Sequence, residues 1–167
     1  MLLIGKNIKQ ILSFVVSNRI IAVDFDGTIV PKIPNGSCDL DTGAERVLRK
    51  LLDSGDRIIL YTCRNNSHSN PYNYYKGEWR KETSLNEAIR WFKERNLELS
   101  GINKRPNQKQ HIGDSLKPYV DIIIDDTCLG IKLKNVIVDY KTHSGEEIKN
   151  FPSYHVDWDW VEKELGI

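Results

Sequence analysis

Apolar residues recur along the chain with two different periods. Short unbroken runs cover 20–25, 57–62, 120–125 and 135–139, and runs of that length and kind are typical of strands buried on both faces of a parallel sheet. Between the runs the spacing turns helical. Ala44, Val47, Leu48, Leu51 and Leu52 form one apolar stripe that stops at Gly55, and Leu85, Ala88, Ile89 and Phe92 form another. Each stripe begins with the spacing of a capping box, Thr42-Gly-Ala-Glu45 and Ser84-Leu-Asn-Glu87, which predicts that Thr42 and Ser84 cap their helices while the glutamate reaches back. A weaker strand is expected near 99–103 and a last helix at the end of the chain, from Trp158 to Leu165. Strands alternating with helices predict an α/β, Rossmann-like parallel sheet with helices on both faces, and ligands at the carboxyl ends of its strands.

The first nineteen residues read differently. Ile4, Ile8, Ile11, Leu12, Val15 and Val16 recur at helical spacing opposite Lys6, Lys9 and Gln10, so 1–19 is expected to be an amphipathic helix preceding a single domain over 20–167. Its apolar stretch is too short to span a bilayer and lacks the marks of a secretory signal. Composition narrows the class further. With 24 Lys plus Arg against 23 Asp plus Glu, the balanced charge argues against a generic polyanion binder. Cys38, Cys63 and Cys128 are odd in number and unsuited to a metal site, so free thiols in a reducing, cytoplasmic compartment are expected. The four histidines have no ligand spacing, which argues against zinc.

Chemistry collects where the apolar runs end. The first run ends in Asp24-Phe25-Asp26-Gly27-Thr28. In an extended chain Asp24 and Asp26 point the same way, and two adjacent carboxylates call for a hard cation such as Mg²⁺. The second run leads into Thr62-Cys63-Arg64, and Lys117 precedes a run that ends in Asp125-Asp126. Together these offer three acids for a magnesium ion and three donors for a phosphoryl group.

In order and placement these segments resemble the haloacid dehalogenase superfamily of phosphohydrolases over about residues 20–140. Asp24-Phe25-Asp26-Gly27-Thr28 is similar to its first motif, Thr62 to the second, Lys117 to the third and Asp125-Asp126 to the fourth. Lys104 competes with Lys117, whose spacing ahead of the acidic run is the better match. The resemblance implies a nucleophile at Asp24, a general acid/base at Asp26, and Mg²⁺ held by Asp24, the Asp26 carbonyl and Asp125. It also implies an aspartyl-phosphate intermediate, with Thr62 and Lys117 on the transferring group and Gly27, Thr28 and Arg64 toward the substrate.

No large cap domain fits. The segment from Thr28 to Asp41 is short, and little sequence lies between the second helix and Lys117. An open site admits a large substrate or is closed by a second copy in a homo-oligomer. The surplus element is the loop 65–83, with Tyr72, Tyr74, Tyr75 and Trp79 among Lys76, Arg80 and Lys81. Such a loop either stacks on bases and pairs with phosphates, or packs on itself. Arg64 is similar to an arginine in the 3′-phosphatase half of phage polynucleotide kinases. The expected substrate is therefore a small phosphomonoester or nucleotide, with a nucleic-acid end-processing phosphatase as the alternative. A phospho-acceptor signalling domain and an inactive scaffold are the non-hydrolase alternatives. The first is disfavoured by the Asp-x-Asp-Gly-Thr order, the second by the presence of every acid and the lysine.

Overall fold

The computed structural model describes residues 18–34, 36–38, 40–66, 73–75, 78–80, 83–107 and 119–167. The helix expected over 1–19 lies outside them except for Asn18 and Arg19, which are not helical, and Lys117 lies outside them as well. In chain order the elements are β1 (Ile20–Val23), β2 (Gly36–Ser37), α1 (Ala44–Asp53), β3 (Arg57–Leu60), β4 (Asn73–Tyr75) and β5 (Glu78–Arg80). They continue with α2 (Ser84–Glu94), β6 (Leu99–Ile102), β7 (Ile122–Ile124), β8 (Leu133–Thr142), β9 (Glu147–Val156) and α3 (Trp158–Leu165).

Four strands form the expected parallel sheet in the order β6-β3-β1-β7. β1 lies inside it and is buried along its whole length. On one face Ile21 and Val23 sit level with Ile58 and Leu60. These join Val47, Leu48 and Leu51 of α1, Ala88 and Phe92 of α2, and Trp158 and Val161 of α3 in one core. Burying each such side chain contributes about 1.5–3 kcal/mol, so this cluster holds the helices to the sheet. Ile20, Ala22 and Ile59 alternate to the other face and are buried too, as an unbroken apolar run requires. Arg19 clamps the start of β1 to the loop before β3, with its Nη2 2.6 Å from Asp56 Oδ2.

Several local expectations change. The run at 135–139 does not extend the parallel sheet. It is the middle of β8, which pairs antiparallel with β9 and with β2 in a separate three-stranded sheet. The connection His143–Glu146 is a tight turn, too short for the crossover that a parallel neighbour needs. α1 starts at Gly43 in a left-handed conformation without a side-chain cap. Thr42 instead donates its hydroxyl to the Ile29 carbonyl at 2.6 Å, and Glu45 pairs with Arg49 one turn on. Thr83, not Ser84, caps α2 by accepting from the Asn86 N–H, so Glu87 is free to turn inward. The loop 65–83 contains the antiparallel hairpin β4–β5, and β4 runs beside β2. The aromatic and basic side chains of this loop lie outside the described residues. Cys38, Cys63 and Cys128 form no disulfide. No helix among the described residues is long and apolar enough to cross a membrane.

Candidate active site

β1 delivers Asp24 to its carboxyl end, where the Asp24 N–H still donates to the Ile124 carbonyl of β7 at 2.9 Å. There the chain stops being extended. The N–H groups of Thr28, Ile29 and Val30 all converge on the Phe25 carbonyl, and Gly27 N–H donates to the Val30 carbonyl at 2.8 Å. Gly27 takes φ +86°, and a Cβ there would lie 2.6 Å from Asp126 Oδ2, so only glycine lets the two loops approach. This tight turn overrides the alternation of an extended strand. Asp24 and Asp26 consequently face different partners, contrary to the expectation from an unbroken run over 20–25.

Asp24 belongs to an acidic cluster. Carboxylate oxygens of Asp24, Asp125 and Asp126 all lie within 4.8 Å of one another. The buried Thr28 links them, donating its hydroxyl to Asp24 Oδ2 at 3.2 Å and accepting the Asp126 N–H at 3.0 Å. Asp125 Oδ1 accepts from the N–H and hydroxyl of Thr127. Asp126 Oδ2 accepts from the Tyr154 hydroxyl at 3.1 Å and from Lys32 Nζ at 3.1 Å, and Lys32 also donates to the Asp26 carbonyl. Burial pushes the Asp24 carboxyl up to about 6, the Phe25 N–H opposes this, and the charges of Asp125 and Asp26 add to it. The Lys32 ammonium loses some stability to burial, but Asp126 more than restores it. β9 braces the loop from behind. Val156 N–H donates to the Gly27 carbonyl, Lys32 N–H to the Tyr154 carbonyl, and Ser153 Oγ to the Lys32 carbonyl. Trp158 Nε1 donates to the Thr28 carbonyl at 2.9 Å.

Asp26 faces the end of β3. Arg64 grips its carboxylate with both sides of the guanidinium, Nε to Oδ2 at 2.8 Å and Nη2 to Oδ1 at 2.7 Å. The same guanidinium donates to Glu87 Oε2 at 2.7 Å and to the Ser84 carbonyl, and lies 4.6 Å above the Phe25 ring. Burial works against its charge, yet Asp26 and Glu87 together hold it firmly protonated. Thr62 is almost fully buried. Its backbone is held by both ends of the Asn103 amide at 2.8 and 3.0 Å, and its hydroxyl accepts the Arg64 N–H. That arrangement leaves the hydroxyl proton of Thr62 to donate.

The structure thus gathers Asp24, Asp26, Thr62 and Asp125 at neighbouring strand tips and adds Asp126 to the cluster. Three residues expected to face the substrate are used otherwise. The N–H groups of Gly27 and Thr28 are spent inside the turn, and the Arg64 side chain is spent on Asp26 and Glu87. Lys104 is exposed on the turn after β6. Sequence reasoning missed Lys32, Glu87, Asn103 and Tyr154. Only Glu87 left a trace, since a glutamate in the first turn of an apolar-striped helix was read as a cap instead of a buried partner.

No protein-family model matches the chain, and neither does any curated protein. Among solved structures, a conserved protein from Bacteroides thetaiotaomicron is 32% identical, over 68% of this chain and 80% of that one, with a TM-score of 0.52. At that identity and coverage the chain belongs to the family of the Bacteroides thetaiotaomicron protein.

Proposed function

We propose that the chain is a Mg²⁺-dependent phosphatase of haloacid dehalogenase type, hydrolysing a phosphomonoester through an aspartyl-phosphate on Asp24. The observation that carries this reading is the convergence of Asp24, Asp125 and Asp126 within 4.8 Å at the tips of β1 and β7, beside Thr62 at the tip of β3. Crowded hard oxygen donors, one of them carrying a raised pKa, fit a small divalent cation. Asp24, Asp125 and the Asp26 carbonyl would hold it, and the ion would neutralise the non-bridging phosphoryl oxygens.

The chain's own residues do the rest. An Asp24 carboxylate oxygen attacks phosphorus in line, and the bond to the leaving oxygen breaks. Asp26, held by Arg64, gives the leaving oxygen its proton. It then takes a proton from the water that attacks the aspartyl-phosphate, releasing phosphate and free Asp24. The Thr62 hydroxyl donates to the transferring group, and Lys117 balances its charge.

Nitrophenyl phosphate tests this directly. Expected is phosphate release that requires Mg²⁺, stops on chelation and leaves an acid-trapped phosphoryl group on the Asp24 peptide by mass spectrometry. Asp125→Ala should raise the half-saturating Mg²⁺ concentration by about tenfold or more through loss of a charged ligand. Full hydrolysis in excess chelator would overturn the reading. Lys117→Ala should cost ~3 kcal/mol in the transition state, as for loss of one preorganised donor, and Lys104→Ala much less. The reverse ranking in matched kinetics would give Lys104 the role.

A further inference from the structure

An ammonium already stands at the acidic cluster. In the Asp24–Val30 turn the Phe25 and Val30 carbonyls accept backbone N–H groups, whereas the Asp26 carbonyl accepts from Lys32 Nζ at 3.1 Å. The same Nζ lies 3.1 Å from Asp126 Oδ2, and the Asp126 side chain is only 4% exposed. Both ends of this bridge are built into the fold. Lys32 N–H donates to the Tyr154 carbonyl at 2.9 Å, and the Lys32 carbonyl accepts from Ser153 Oγ at 2.8 Å, so β9 pins the lysine backbone. From the same strand the Tyr154 hydroxyl donates to Asp126 Oδ2 at 3.1 Å. The lysine stem crosses directly over Gly27, where a Cβ would lie 2.9 Å from Lys32 Cδ.

On the phosphatase reading, on which this inference rests, the Asp26 carbonyl is one of the groups that would hold Mg²⁺. The Lys32 ammonium occupies it. We propose that Lys32 is the resting counter-ion of the cation site: it offsets the crowded carboxylates in the metal-free protein and gives up the Asp26 carbonyl, keeping Asp126, when a divalent ion is taken up. The two ends of the bridge differ in strength. A hydrogen-bonded ion pair with a carboxylate outlasts a bond to a neutral carbonyl, so the carbonyl is the end that yields. The side chain is free to swing, being 44% exposed on a flexible four-carbon stem. Lys32 therefore divides the acidic pair after β7, leaving Asp125 for the ion and reserving Asp126 for itself. Because like charges on one ligand repel, it also raises the Mg²⁺ concentration at which the site fills.

The test measures Mg²⁺ binding to the full chain by titration calorimetry, with melting temperatures in chelator and in Mg²⁺ as a second readout. Lys32→Met keeps a stem over Gly27 and removes the charge. It should tighten the Mg²⁺ dissociation constant about tenfold or more, because no unit charge then opposes the ion on a shared ligand. Lys32→Gln, which leaves Asp126 a neutral donor, is the milder variant and should show the same tightening. Lys32→Arg keeps the charge and should bind like the parent. In chelator Lys32→Met should melt about 5 °C below the parent, since Asp126 loses its cation, and saturating Mg²⁺ should close much of that gap. The tightening should persist in 1 M tetramethylammonium chloride, where the field of a merely nearby charge is screened beyond about 3 Å. An unchanged or weaker dissociation constant, with melting temperatures lowered alike in chelator and in Mg²⁺, would make Lys32 a structural pin and overturn the proposal. A parent that takes up no Mg²⁺ would overturn it too. Nitrophenyl phosphate separates the two readings: a parent that binds Mg²⁺ and hydrolyses no ester would remove the phosphatase alone, and the binding comparison would still decide the role of Lys32.

Discussion

Asp24→Asn is expected to abolish turnover and, in chelator at neutral pH, to melt higher than the parent protein. The first effect follows because an amide cannot form the acyl-phosphate. The second follows from the carboxyl's raised pKa. A folded pKa of about 6 against an ordinary 3.8 means that the native state binds this proton more tightly than the unfolded chain does. Its contribution to stability is therefore present below pH 4 and lost as the pH rises through about 6. Above that, ionised Asp24 costs stability, and Asn removes the cost. With a discount for solvent screening the gain is on the order of 1 kcal/mol, or about 2–4 °C for a chain of this length. The advantage should vanish below pH 4. It should also shrink in Mg²⁺, which stabilises only a protein whose ligand set is intact. A variant that melts below the parent at pH 8 in chelator would show that the Asp24 carboxylate is a structural asset, held by Thr28 and Phe25, and no cation site at rest.

Long-range order was legible wherever one local signal sufficed. β1, β3 and β7 are short unbroken apolar runs, so their existence and parallel class could be read directly, although Ile123 in the middle of β7 is exposed. So could the Asp24–Thr28 string and the Asp125-Asp126 pair, because strand tips sit at one edge of a parallel sheet by construction. What could not be read was direction beyond the tips. Asp26 turns from Asp24 because three N–H groups converge on one carbonyl, a closure that no alternation rule anticipates. β8 looked like another buried strand because Val136, Ile137 and Val138 are contiguous, although Ile137 is exposed and only Val138 is buried. β9, which braces the Asp24–Val30 loop, is interrupted by Lys149, Asn150 and Pro152 and gives no strand signal alone. Glu87 pairs with Arg64 across 23 residues, and a pairing of that range is set by tertiary structure.

Arg64→Ala is expected to be the most destabilising of the single changes considered. The guanidinium satisfies Glu87, which is only 5% exposed, and both oxygens of Asp26. Removing it takes from Glu87 and from both Asp26 oxygens the guanidinium they share, and breaking a buried ion pair from one side costs about 3–5 kcal/mol and lowers the melting temperature by about 10 °C in a chain of this size. Arg64→Lys should fare little better, since one ammonium cannot span Asp26 and Glu87 with the geometry of a planar fork. Turnover should fall on every substrate, nitrophenyl phosphate included, because the damage lies in the orientation of Asp26. The double change Arg64→Met with Glu87→Leu separates stability from catalysis. Replacing a buried ion pair by apolar side chains of similar volume is often neutral or stabilising, so the double variant should recover most of the melting temperature. It should not recover kcat, because Asp26 still lacks its clamp, and its pH–rate profile should shift on the limb set by the general acid. Recovery of both stability and kcat would mean that Arg64 serves the fold alone and that Asp26 finds its position without it.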